Sequence, residues 1–414
     1  MRNLGCGIGL SNCALATSGE QATYLVQERF DGGDESNPIA SPHGALTAVQ
    51  NDGDFEITGD EIVATAQSTP TWGDLVLRTT NTFTRKAGTA FLIKVKKDST
   101  VFAPFLGISG SNAFALTTDD PQLYFWSTGL LAWVSSLGQS RIGTIAADTW
   151  YEVVIIVRVD GCFFAIKGGI YTDWTIVWET IVGNDSDIYA GISAYNDNFW
   201  VDDFEIVESV DTSDMLLLSD TFTRANSNNI GSTDGLAAEE IGGDGIAWED
   251  HGTQTCSIST NRLTAEWHDG TFQYAIAETN QSDINIEIDV ESDTYGVWGG
   301  TAFRWTDFDN HWMTYRSDAY LRLVEKEAGS STTRASDYDV TYDSGVQPIR
   351  VSADDEEISV HIGGEYKFTY AGAVTNKTAT KHGCIVQWSG TNFIHEINVW
   401  KRHPELTLIS PVSP

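Results

Sequence analysis

Glu287, Asp289 and Glu291 stand at alternate positions of one apolar run, Ile284-Asn285-Ile286-Glu287-Ile288-Asp289-Val290-Glu291. In an extended strand alternate side chains share a face, about 7 Å apart. Carboxylates so placed could flank a glycosidic bond. Glu287 would be nucleophile, Glu291 general acid, and Asp289 would tune their protonation, the arrangement of a retaining glycoside hydrolase. The same residues have a plainer reading. An acidic chain sets Glu and Asp on solvent-facing positions. The matching strand of the first half carries Leu92, Lys94 and Lys96 there. The non-catalytic reading is the one adopted.

Aromatic side chains offer a second chemistry. The chain has 14 tryptophans, and aromatic faces stack on the C–H surfaces of sugars. Trp298, Trp305, Trp312 and Trp388 are the candidate carbohydrate platforms of the second half, and Trp126, Trp133, Trp174 and Trp178 those of the first. Most tryptophans, however, are core or interface anchors. Calcium, the one cofactor the pattern points to, needs six to eight oxygens, usually from several loops. Asp337, Asp339 and Asp343 are the candidate ligands. Asn184-Asp185-Ser186-Asp187 and Asp31-Gly32-Gly33-Asp34 are further acidic loops. The histidines show no HxH or HExxH spacing, and no nucleophile elbow, P-loop or dinucleotide-binding glycine pattern occurs.

Five cysteines, Cys6, Cys13, Cys162, Cys256 and Cys384, include no CxxC pair. An odd, scattered set argues against a disulfide scaffold and against zinc. Cys162 and Cys384 sit in apolar strand patterns, where a thiol acts as a small buried hydrophobe. Cys6 and Cys13 are free to pair or not. The formal charge of −34, from 58 acidic and 24 basic residues, excludes nucleic-acid binding, which needs clustered Lys and Arg. No run of 18 apolar residues and no apolar signal core is present, so membrane insertion and a cleaved export signal are not expected.

The elements that must position these residues are short strands rich in Val, Ile, Thr and aromatics, with turn residues between them. They occur twice. Phe30 to Phe204 spans 174 positions and Phe222 to Ile397 spans 175. The period-2 strand Phe91, Ile93, Val95 matches Ile284, Ile286, Ile288, Val290. Leu123-Tyr124-Phe125-Trp126 matches Trp312-Met313-Thr314-Tyr315, and the run after Tyr151 matches that after Ile349. The expected fold is all-β: two tandem antiparallel β-sandwich domains at 26–208 and 215–402, behind an N-terminal arm (1–25) and before a tail (403–414).

The pattern resembles the concanavalin A-like lectin/glucanase superfamily in its laminin-G-like jelly-roll form. The residues that carry the resemblance are Asp220-Thr221-Phe222-Thr223-Arg224-Ala225, Gly299-Gly300-Thr301-Ala302-Phe303-Arg304, Trp150-Tyr151-Glu152-Val153 with Val159-Asp160-Gly161, and Val201-Asp202-Asp203-Phe204. In the first half Phe105-Leu106-Gly107-Ile108-Ser109-Gly110 replaces the Gly-Gly-x-x-Phe-Arg segment. Glu287-Ile288-Asp289-Val290-Glu291 is similar to the catalytic strand of family 16 β-glucanases, which implies the three roles given above. Asn280-Gln281-Ser282-Asp283 stands where that family carries an aromatic platform. The opening Asp-x-Phe-x-Arg-Ala resembles modules in structural proteins of tailed viruses. The expectation is a non-enzymatic virion surface protein: a decoration, fibre or tail component. It would pair with other copies of itself and touch host cell-surface glycans. The alternatives are the glycoside hydrolase and an extracellular lectin or adhesin.

Overall fold

The computed structural model describes residues 24–28, 30, 35–36, 45–50, 53–59, 61–66, 75–98, 102–110, 122–134, 138–157, 161–180, 187–193, 198–208, 210, 215–234, 245–252, 255–265, 272–292, 299–317, 320–338, 345–387, 392–404 and 406. Cys6, Cys13, and nearly all of the expected arm and tail lie outside them. Every regular element among the described residues is a β-strand. The chain divides into two compact units, Met1–Thr212 with Pro404–Pro414, and Ser213–His403.

Each unit is a two-layer antiparallel sandwich. In the first, a nine-stranded sheet runs Tyr171–Thr180, Cys162–Gly168, Trp150–Val157, Ala90–Lys97, Phe199–Val207, Glu61–Ala66, Gly53–Thr58, Glu35–Ser36, with Tyr24–Glu28 also on Phe199–Val207. In the second, an eight-stranded sheet runs in the reverse sense: Cys256–Ile258, Leu263–Ala265, Asn392–Lys401, Ile284–Ser292, Val346–Asp354, Glu357–Ile362, Glu365–Ala371, with Leu216–Asp220 on Asn392–Lys401. Except for the edge strand Glu35–Ser36, which has no counterpart in the second sheet, the two orders are the same. The facing seven-stranded sheets also correspond, Gln122–Trp126 taking the place of Asn310–Ser317 and Tyr189–Ser193 that of Lys381–Gln387. The repeat read from the sequence is thus a repeat of topology, with each matched strand pair in the same position.

Alternation explains the layers. Phe91, Ile93 and Val95 meet Leu106, Phe125 and Ile192 of the opposite sheet in one buried core. Ile286, Ile288 and Val351 meet Phe303, Trp312 and Val386 in the other. A fully buried side chain of this size stabilises by about 1.5–3 kcal/mol, so these cores hold the layers together. Cys162, Cys256 and Cys384 are buried, and burial pushes the Cys256 and Cys384 thiols up.

Both units begin with the same backbone feature. Phe30 and Phe222 have φ of 53° and 52° and are 1% and 0% exposed. A bulky residue rarely holds the left-handed region. In the second unit the cause is visible. The Phe222 N–H donates to Asp220 Oδ1 at 2.7 Å, and Arg224 grips both Asp220 oxygens at 2.8 Å. Arg224 also donates to the Ile230 carbonyl at 2.9 Å. The Asp-x-Phe-x-Arg spelling therefore encodes a buried clasp.

Candidate functional site

The strand Ile284–Ser292 lies in the middle of the eight-stranded sheet. Ile284, Ile286, Ile288 and Val290 point into the core, each 2% exposed or less. Glu287, Asp289 and Glu291 occupy the other face, half-buried. Their neighbours follow from the register. Glu287 stands between Arg350 and Asn398, Asp289 between Pro348 and Glu396, and Glu291 between Val346 and Phe393.

Glu291 Oε2 accepts from Arg262 at 2.5 Å and meets His395 Nε2 at 2.6 Å. Burial acts to raise its carboxyl, but the bonds from His395 and Arg262 outweigh that and hold it below the usual range. Asp289 has the opposite fate. Burial, and then the neighbouring charge of Glu396, push it up to about 6. A general acid must carry a proton at working pH. Glu291, assigned that role from the sequence, is instead held in its ionised form by His395 and Arg262. Positions four apart on a strand are also about 13 Å apart. Glycosidase carboxyls stand roughly 5–5.5 Å apart in retaining enzymes and ~6.5–9.5 Å apart in inverting ones. Strand spacing alone does not bring Glu287 and Glu291 to that separation; their side chains would have to lean together, and Glu291 is engaged by Arg262 and His395.

The first unit explains what this face is. Both central strands meet a bulge in the closing strand at the same place. The register shifts between Val201 and Phe204 opposite Val95 and Ile93, and between Asp289 and Val290 opposite Glu396 and Ile394. Aligned on that bulge, Lys94 takes the place of Asp289, Lys96 of Glu291, Asp202 of His395, and Trp200 of Phe393. Lys94 pairs with Asp202, and one position along, Glu291 meets His395. The central strand thus carries lysines where the other unit carries carboxylates. Lys96 lies 4.9 Å from the centre of the Trp150 ring and 4.5 Å from that of Trp200. The Arg262 guanidinium lies 3.6 Å over the Phe393 ring. Each unit thus sets a cation against an aromatic ring on the outer face of its larger sheet.

The aromatic candidates are placed differently from expectation. Trp312 is 0% exposed, lies in the sandwich core and donates its indole N–H to the Thr375 carbonyl at 2.9 Å. Trp305, 2% exposed, joins Tyr274, Met313 and Tyr315 in a separate cluster and stacks on His311 at 4.3 Å. Neither offers a free face to a sugar. Trp298 and Trp388 lie outside the described residues. Of the first-half candidates, Trp174 and Trp178 are buried, Trp126 is 36% exposed, and the side chain of Trp133 lies outside the described set. Trp150 and Trp200 were passed over because they sit in fold motifs. Their signal was the lysine alternation Lys94, Lys96 in a strongly acidic chain.

Of the calcium candidates, Asp337 lies 3.6 Å from Lys367, while Asp339, Asp343 and residues 184–186 and 31–34 lie outside the described residues. Among the described residues one group, Asp283, Asp354 and His403, brings its ligand atoms within 4.8 Å of one another. Guanidinium groups already occupy it. Arg304 bonds Asp283 at 3.0 Å and Arg402 reaches Asp354 at 3.5 Å. Burial acts to raise Asp354, but His403 and Arg402 outweigh it and bring it to about 2. The group is an ion-pair network.

No protein-family model matches the chain, and no curated protein matches it. Among solved structures, it is similar to a carbohydrate-binding module, CBM66, from Bacillus subtilis, at 14% identity and a TM-score of 0.28, over 38% of this chain and 92% of that one. Sheep galectin-11 matches at 8% identity and a TM-score of 0.24, over 32% and 99%. A family 16 glycosyl hydrolase from Mycobacterium smegmatis matches at 13% identity and a TM-score of 0.30, over 44% and 100%. At these values the likeness carries no argument about ligand or reaction, and the all-β tandem sandwich rests on the strand order itself.

Proposed function

We propose that the chain is a non-enzymatic, carbohydrate-binding protein displayed on the surface of a virus particle or a comparable assembly of its own copies. One observation supports it above the others. Where a hydrolase needs an acid and a nucleophile a bond's width apart, the outer faces hold rings paired with cations: Trp150, Lys96 and Trp200 in the first unit, Phe393 and Arg262 in the second. Such groups suit contact with a sugar, through stacking and charge-assisted hydrogen bonds, rather than proton transfer. The net charge of −34 suits a surface that resists non-specific association. The full chain on a glycan array is expected to bind a subset of saccharides and to release no reducing ends from them. Sedimentation then distinguishes a monomer from an assembly.

The second reading, a glycoside hydrolase, draws on Asp289. Its carboxyl is pushed up to about 6 beside Glu396, so it exchanges a proton near neutrality. Turnover of β-glucans by the full chain, abolished in Asp289→Asn or Glu287→Gln, would overturn the non-enzymatic reading.

A further inference from the structure

We infer that the outer face of the nine-stranded sheet binds a carboxylated saccharide in the cleft beside Trp150. The inference rests on the carbohydrate-binding reading and adds a place and a ligand class. Trp150, Lys96 and Trp200 are register partners on three adjacent strands, so they form one rib across the sheet. The adjoining row, Lys167, Glu152 and Lys94, is likewise in register. A cleft of about 220 Å³ is lined by Trp150, Lys94, Glu152, Lys167, Gly168 and Tyr171, with Lys96 the register neighbour of Trp150 at its side. That is below the ~300–1,000 Å³ of pockets for drug-sized ligands and suits a single sugar ring at a time.

The floor is bare for a physical reason. Gly168 has φ of +119°, and a Cβ there would stand 2.4 Å from the Trp150 carbonyl oxygen. The hairpin therefore approaches the neighbouring strand with backbone alone, and the space above stays open. The charge pattern names the ligand. In a chain of net charge −34, three lysines converge on one sheet face. Lys94 is paired with Asp202. Lys96 is set against two indole rings, and Lys167, with no described carboxylate within ion-pair distance, shares with Lys94 the single Glu152 carboxyl of the cleft. A uronate-type sugar supplies what is missing: a carboxylate for the ammonium groups and an apolar ring face for Trp150. Glu152, between the two lysines of its row, is placed to accept from sugar hydroxyls.

The test compares a glucuronate-containing oligosaccharide with its carboxyl-reduced neutral twin, by calorimetric titration of the full chain. The acidic form is expected to bind at least tenfold more tightly, and the gap to narrow as salt rises. Lys167→Gln and Lys96→Met are expected to lower the acidic affinity about tenfold and the neutral one by clearly less, so that the gap between the two narrows. Trp150→Phe is expected to weaken both only modestly, and Trp150→Ala strongly. Lys167→Gln touches a partly exposed residue and serves where Trp150→Ala fails to fold. Equal affinity for the two forms would overturn the acidic class while the carbohydrate reading stands. Acidic binding unchanged in Lys167→Gln, Lys96→Met and Trp150→Phe would place the site elsewhere. Failure to bind any saccharide on the array would overturn both.

Discussion

Trp248 donates its indole N–H to Asp220 Oδ2 at 2.7 Å, and Asp220 is fully buried. The same carboxylate accepts from the Phe222 N–H and from both Nη atoms of Arg224. Asp220→Ala leaves the Trp248 indole N–H and the Phe222 N–H without their acceptor, while Arg224 keeps Asp234 and the Ile230 carbonyl. The expected cost to the second unit is about 2–4 kcal/mol, because two buried donors lose their partner. Urea unfolding at pH 7 measures it, and a loss below about 1 kcal/mol would show that the clasp is dispensable.

Asp289 makes stability depend on pH. Its carboxyl is raised from 3.8 to about 6 by burial and by Glu396. A group whose folded value lies above its unfolded one contributes stability that is complete below about 4 and is lost as pH rises through about 6. Asp289→Asn is therefore expected to stabilise the second unit at pH 7.5, on the order of 2 kcal/mol, and to leave it unchanged at pH 3.5. Denaturation midpoints for both proteins at the two pH values check the sign. A variant less stable than wild type at pH 7.5 would contradict it.

Lys94 and Asp202 are each roughly a quarter exposed, so their coupling is modest, about 1 kcal/mol. Lys94→Asp alone sets a third carboxylate beside Asp202 and Asp203 and is expected to destabilise the first unit. Adding Asp202→Lys is expected to restore most of the loss. A double-mutant cycle reads the coupling, and additive losses would mean that the pair is ornamental.

Gly383 sits where two strands close on each other. A Cβ there would stand 1.9 Å from the Ala275 carbonyl oxygen, and neither backbone can yield without breaking the ladder between Ala275 and Cys384. Gly383→Ala is expected to cost ~2 kcal/mol or more. Gly59→Ala, with φ of +63° and nothing within 4 Å of the added carbon, is expected to cost about 1–2 kcal/mol from backbone strain alone. Thermal unfolding of the two variants separates them.

Much of the scaffold was legible because alternation is local. Ile284, Ile286, Ile288 and Val290 declare their face without reference to the rest of the chain, and so do Phe91, Ile93 and Val95. The matched runs at Leu123 and Trp312 fall in equivalent strands for the same reason. What escaped depends on irregularities and on distant partners. Trp305 follows a register shift in its strand, with Arg304 at φ 48°, so counting alternate positions past it fails. Trp312 has the right parity for the core, but parity alone does not say which face is the core. Glu291 takes its meaning from Arg262 and His395, 29 and 104 positions away. The spelling of three alternating carboxylates resembles catalysis, while the groups facing them, Arg262 and His395 at Glu291 and Glu396 at Asp289, come from elsewhere in the chain.

The opposite charges that the two central strands carry beside the shared bulge bear on how the chain assembles itself. A polypeptide that carries one scaffold twice can exchange strands between copies as it folds. Were Phe199–Val207 to dock beside Ile284–Ser292, Asp202 and Asp203 would confront Asp289 and Glu291, four like charges with no lysine among them. Lys94 and Lys96 stand where the second unit has Asp289 and Glu291, so the aspartates of Phe199–Val207 find lysines on their own central strand and carboxylates on the other.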